Sequence, residues 1–118
     1  MDFAAFSVSE NGVFDSRVKF PRSMVTDPRP VEEYEIELYT EDQPGVSHID
    51  GEHIPLKKGT LICAKPGMTR YSRLPFKCLY MHLQTADSQL QQMLNRLPTC
   101  CEVADVNGLS ALFHRQLH

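Results

Sequence analysis

The pair Asp50-Gly51 is the feature of this sequence that most restricts its fold. Val46-Ser47-His48-Ile49 precedes it and Glu52-His53-Ile54-Pro55-Leu56 follows. Asp-Gly accepts the positive φ angles of a two-residue turn while the flanks favour extended chain, so the segment predicts a β-hairpin. Such a loop also fixes register: Ile49 pairs with Glu52, and His48 with His53. His48 and His53 then form a solvent-facing cross-strand pair, opposite the apolar face of Ile49, Ile54 and Leu56.

The rest of the first 86 residues reads the same way. Residues 13–20 alternate, with Phe14, Val18 and Phe20 on one face and Pro21 as the stop. Residues 23–30 read as loop, because Pro28 and Pro30 withhold ladder donors. Residues 31–40 alternate Tyr34, Ile36 and Leu38 against Glu33, Glu35, Glu37 and Tyr39, the period of a half-buried strand. Strands follow over 60–64 and 76–84, with a shorter extended piece at 70–73. Beyond Gln84 the period changes. Leu90, Met93, Leu94 and Leu97 fall on one helical face, with Asp87 as N-cap and Pro98 as stop. A last helix is predicted over 106–117 from Val106, Leu109, Leu112, Phe113 and Leu117, with Asp105 or Asn107 near its start.

Composition narrows the class. At 118 residues, 42% hydrophobic and 23% charged, the chain suits one globular domain. Apolar runs are too short for a membrane helix, and Met1-Asp2-Phe3 does not open a signal peptide, so a soluble, cytoplasmic protein is expected. Residues 1–60 carry 12 acidic and 6 basic side chains, and residues 61–118 carry 3 and 6. Lys57-Lys58 is the only adjacent basic pair, so this segment is not expected to contact nucleic acid. Cys63, Cys78, Cys100 and Cys101 lack the spacing of a zinc site and read as thiols, Cys63 and Cys78 as small buried hydrophobes.

The succession Tyr34-Glu35-Ile36-Glu37-Leu38-Tyr39, Ile49-Asp50-Gly51-Glu52, Leu56-Lys57-Lys58-Gly59-Thr60-Leu61, Lys65-Pro66-Gly67 and Leu79-Tyr80-Met81-His82-Leu83 resembles the cupin-like sensor domain of AraC-type transcription regulators. The resemblance covers residues 13–118, with Gly45 displaced from the family position and Thr60 where the family usually has an acidic residue. It implies a mainly β fold, a cupin-like (double-stranded β-helix or jelly-roll) barrel over 1–86 followed by two C-terminal helices over 87–118. It also implies an effector-binding and dimerisation domain, with DNA bound by a C-terminal half beyond His118. Arg29 stands where the family often has an arginine, either as a contact at the pocket mouth or as a loop anchor.

Cupins often hold a metal through His and Glu, and His48, Glu52 and Gly59 fall near such a spacing. The hairpin register sends His48 and Glu52 to opposite faces, and Arg70 occupies the place of a further histidine. A guanidinium repels cations, so no metal or other cofactor is expected. The same alternation puts Arg70 and Ser72 on one face of their strand and Cys78, Tyr80, His82 and Gln84 on one face of theirs. Leu79, Met81 and Leu83 remain to pack on the helix face of Leu90, Met93, Leu94 and Leu97.

Arg29, Arg70, Ser72, Tyr80 and His82 are therefore the candidate ligand-binding residues, suited to a sugar, sugar acid or small carboxylate. A buried Arg70 needs an anionic or hydroxyl-rich partner, which the effector would supply. A surface Arg70 pairing with the acidic strand from Glu32 to Glu37 is the other open reading. Leu109, Leu112 and Phe113 are the candidate contacts of a homodimer, unless the last helix folds back on its own barrel. A sensor without catalytic residues is the leading expectation. The alternatives are a metal-dependent cupin isomerase or dioxygenase, and a dimerisation domain whose barrel is plugged by Phe3, Phe6, Phe14 and Phe20.

Overall fold

The computed structural model describes residues 6–17 and 23–115. Among these, strands β1 (Phe6–Asp15), β2 (Met24–Val25), β3 (Arg29–Pro30), β4 (Tyr34–Leu38), β5 (Val46–Ile49), β6 (Glu52–Pro55), β7 (Thr60–Ala64), β8 (Thr69–Leu74) and β9 (Lys77–Thr85) precede helix α1 (Ser88–Arg96). Strand β10 (Cys100–Glu102) and helix α2 (Val106–Arg115) follow. The protein is mainly β, and its two antiparallel sheets are arranged as a jelly-roll-like barrel followed by two helices. One sheet has the order β1-β9-β4-β7-β10, and the other β2-β8-β5-β6, with β3 also paired to β8.

The hairpin forms as its sequence requires. Asp50 and Gly51 both adopt positive φ, 48° and 81°, and Ile49 pairs with Glu52 and His48 with His53. Ile49, Ile54 and Leu56 turn inward and meet Tyr39, Ile62, Ala64 and Cys78 from the opposing sheet, with Val31, Leu74 and Phe76 completing the core. His48 lies on the outer face, where its ring stacks on Tyr71 and meets the edge of His53.

Several boundaries differ from expectation. β1 occupies Phe6–Asp15 rather than 13–20, and Val18 and Phe20 lie outside the described residues. The segment 23–30, read as loop, contributes β2 and β3 to the edge of β8, where Pro30 is tolerated because it is the end of a short edge strand. β10 was not expected at all. It pairs with β7, and the Val103 amide donates to the Gly59 carbonyl. Gly59 adopts a φ of 91°, and a Cβ there would lie 2.8 Å from the Val103 carbonyl oxygen, so this crossing requires glycine.

The two faces of β4 are divided between the helices and the barrel interior. Its apolar residues Tyr34, Ile36 and Leu38 face away from the barrel interior, towards the helices, and Glu35, Glu37 and Tyr39 turn inward and are buried. The register explains this. β4 pairs with β9 so that Ile36 sits beside Met81 and Leu38 beside Leu79, which makes one apolar sheet face for the helices to cover.

α1 covers that face with Leu90 and Leu94, packed on Tyr34, Met81 and Leu83. Asp87 caps it by accepting the Leu90 amide at 2.8 Å, as expected. Met93 and Leu97 do not join the contact and remain exposed. α2 folds back on its own sheet, with Leu109 and Phe113 against Leu38 and Leu79. Asp105 caps it through the Gly108 amide. Of the three residues expected in a dimer contact, only Leu112 is left outward, at 51% exposure. The sheet already occupies Leu109 and Phe113.

Candidate functional site

Between the sheets, at the end bounded by β1, β9, β8 and the β2–β3 segment, lies a cavity of about 520 Å³. All five residues singled out for ligand binding, Arg29, Arg70, Ser72, Tyr80 and His82, line it. They reach it from three stretches of chain. Alternation on β8 sends Arg70, Ser72 and Leu74 inward, and alternation on β9 does the same for Cys78, Tyr80 and His82. Arg29 enters from β3, directly opposite Arg70 in the ladder.

Cys78, read on the same face, also lines the cavity, Gln84 does not, and sequence reading assigned none of the remaining lining to the pocket. Glu37 comes from the inward face of β4, and Met24, Thr26 and Asp27 from the segment read as loop. Glu10 and Phe14 come from β1. A register shift between Val8 and Glu10 sets Glu10 opposite His82, Gly12 opposite Tyr80 and Phe14 opposite Cys78. The signal that was available for Glu35 and Glu37 was the apolar face of the neighbouring strand. If Leu79, Met81 and Leu83 pack on a helix, then Tyr34, Ile36 and Leu38 beside them do too, which leaves the glutamates inside.

The floor of the cavity is an ionic network. Arg70 is 3% exposed and donates from Nη1 to Glu35 Oε1 at 2.8 Å and from Nη2 to Glu37 Oε1 at 2.9 Å and Ser47 Oγ at 3.0 Å. Arg29 grips Glu35 with both terminal nitrogens, at 2.8 and 2.7 Å. The Tyr39 hydroxyl donates to Glu37 Oε1 at 2.9 Å. This corrects the reading of Arg70 as a buried cation waiting for an effector anion. It is buried, as one reading required, and it is paired to the acidic strand, as the other required.

Electrostatics follow from the pairing. Burial pushes the Glu35 carboxyl up, but the Arg29 hydrogen bonds and the charges of Arg29 and Arg70 outweigh it and hold the carboxyl below its ordinary value. Burial works against charging Arg70, and Glu37 and Glu35 more than compensate, so its proton is held more firmly than usual. Burial and the Glu37 charge raise the Tyr39 phenol and the Cys78 thiol well above their usual ranges. Burial therefore favours the neutral thiol of Cys78 in the cavity wall.

At the mouth, the Tyr80 hydroxyl donates to Glu10 Oε1 at 2.9 Å, and His82 Nδ1 lies 3.7 Å from Glu10 Oε2. Phe14 stands over Phe76 with ring centroids 5.0 Å apart. Phe14 is part of the cavity wall and does not plug the barrel. Phe6 sits at the far end of β1, and Phe3 and Phe20 lie outside the described residues.

All four cysteines are free thiols, Cys63 and Cys78 buried. Among the described residues, no three His, Cys, Asp or Glu side chains gather into a metal-binding group, and no helix is long and apolar enough to cross a membrane. Compared with known proteins, the chain matches no family model and no curated protein.

Proposed function

We propose that this chain is the effector-binding domain of an AraC-type transcription regulator, which takes a small hydrogen-bonding molecule into the cavity between its sheets. In this reading the occupied domain acts as a homodimer and biases a DNA-binding half carried elsewhere in the regulator. The observation that carries it is convergence. Five residues chosen from strand alternation and family resemblance meet at one cavity, whose volume of about 520 Å³ lies within the span usual for small-molecule sites. No catalytic residue is part of the proposal, because both floor carboxylates are engaged by guanidinium groups.

The pairing of Arg70 changes the effector expected. A carboxylate or sugar acid would compete with Glu35 and Glu37 for the Arg70 guanidinium, whose anionic partners are supplied inside the protein. The test is a thermal-shift screen of the whole chain against neutral sugars, amines and carboxylates. A ligand at about a hundred times its Kd adds about 2.7 kcal/mol, enough to raise Tm by several degrees. Cys78→Phe, which fills the wall, should remove the shift. A shift that survives this substitution, or no shift with any compound class, would overturn the reading.

A further inference from the structure

Resting on the cavity as a ligand site, we infer that its ligand is an organic cation: a small molecule with an ammonium group on an apolar or aromatic body. The argument starts from what the cavity still offers. Arg29, Arg70, Glu35 and Glu37 are two cations and two anions bonded to one another, so the floor is neutral as a set. The Arg70 guanidinium is buried and committed to Glu35, Glu37 and Ser47, and the half-exposed Arg29 gives both terminal nitrogens to Glu35.

Deeper in the cavity the unmet group is an acceptor on Glu37. Both hydrogen bonds to Glu37 fall on Oε1, and among the described residues none reaches Oε2. The Glu37 side chain is 10% exposed, and no fully buried side-chain oxygen or nitrogen lacks a partner, so Oε2 opens onto the cavity it lines. The Ser72 hydroxyl, also lining the cavity, has no partner among the described residues. At the mouth stand Glu10 and Asp27, whose charges no described arginine or lysine neutralises. A carboxylate oxygen open to the cavity with a vacant lone pair, in a cavity also lined by two further carboxylates, calls for a charged donor.

The walls complete the selection. Phe14, Phe76 and Tyr80 present aromatic surface, and Met24, Leu74 and Cys78 add apolar area. Aromatic faces attract cations and exclude water, which strengthens the contact to Glu37. A carboxylate would pass Glu10 and Asp27 at the mouth and meet the unpaired Glu37 oxygen within, with no free buried donor to receive it. A polyol would satisfy Glu37 but set its remaining hydroxyls against an apolar wall.

Three probes of one skeleton test this by calorimetry on the whole chain: phenethylamine, phenethyl alcohol and phenylpropionate. The amine should bind about tenfold tighter than the alcohol, and the acid should bind more weakly than both. Glu37→Gln should abolish the preference for the amine. Because that substitution sits in the buried network, the double variant Glu10→Gln/Asp27→Asn, confined to exposed positions, provides a second check and should shrink the preference to about threefold at low salt. If the alcohol, the acid or glucose binds as well as the amine and loses binding with Cys78→Phe, the cation class is wrong and the ligand site stands. If none binds, and the ring resonances of Tyr80 and His82 do not move on titration, both the cation and the site are overturned.

Discussion

Arg29 and Arg70 stand directly opposite each other between β3 and β8, an arrangement that repels unless an anion lies between the two side chains. Glu35 supplies it, and Glu37 takes the remaining arm of Arg70. Removing one member of a buried ionic set leaves its partners charged and unsolvated, which costs about 3–5 kcal/mol. Arg70→Met should therefore lower the urea-derived stability by that amount, and Arg70→Met/Glu37→Leu should recover part of it by removing an orphaned carboxylate. Equal losses in the two variants would show that the network contributes nothing as a unit. Glu35 also sets an acid limit. Its folded carboxyl lies below the ordinary value of about 4.3, so its stabilisation is complete at neutral pH, begins to fall near pH 4 and is lost below the depressed value. The gap in urea midpoint between the unmutated chain and Glu35→Gln should be wide at about pH 6 and narrow progressively as the pH falls below about 4. A gap that stays constant over this range would contradict the assignment.

Each helix has one face that matters and one that does not, and the division is sharp enough to test. On α1, Leu94 is buried against Tyr34 and Leu83, while its neighbour Met93 is 58% exposed. Leu94→Asp should cost several kcal/mol, about the 2–5 of a core truncation with an unpaired charge in addition, and Met93→Asp should stay within about 0.5 kcal/mol. On α2 the same contrast separates Phe113 from Leu112. Phe113→Ser should unfold or strongly destabilise the isolated chain, whereas Leu112→Glu should leave Tm unchanged and act, if anywhere, on sedimentation. Leu112 and Phe113 are thus not interchangeable as probes of a dimer. The apolar spacing of these helices was readable from period 3.6 and from Asp87, because caps and periodicity are local chemistry. The place of β10 was not, since Cys100-Cys101-Glu102 has no alternation to read and exists as a strand only because β7 presents an open edge to it.

At the scale of the molecule, alternation showed that β4 has two faces but not what covers each. The helices cover the face of Tyr34, Ile36 and Leu38, which is why Glu35 and Glu37 were legible only as partners of a surface Arg70, whereas Arg70, Ser72, Tyr80 and His82 were placed in the cavity. β8 and β9 gave up their inward residues because neither has a competing acidic face. The consequence is that the helices are not an appendage in the energetic sense. Tyr34, Leu38, Leu79 and Leu83 lie buried beneath them. At about 1.5–3 kcal/mol for each such side chain, that face holds roughly 6–12 kcal/mol, comparable with the whole stability of a domain, about 5–15 kcal/mol. Residues 1–86 alone would expose that face together with the β7 edge that β10 covers, and an open edge beside an apolar sheet invites aggregation. The fragment 1–86 is therefore expected to aggregate or to show the collapsed amide spectrum of a loosely packed chain. The unmutated chain should unfold in one transition, with far-ultraviolet circular dichroism and tyrosine fluorescence coinciding. A soluble fragment with dispersed amide resonances, or two separated transitions in the whole chain, would show that the barrel holds its outer face without the helices and that the packing of Leu94 and Phe113 is incidental to the fold.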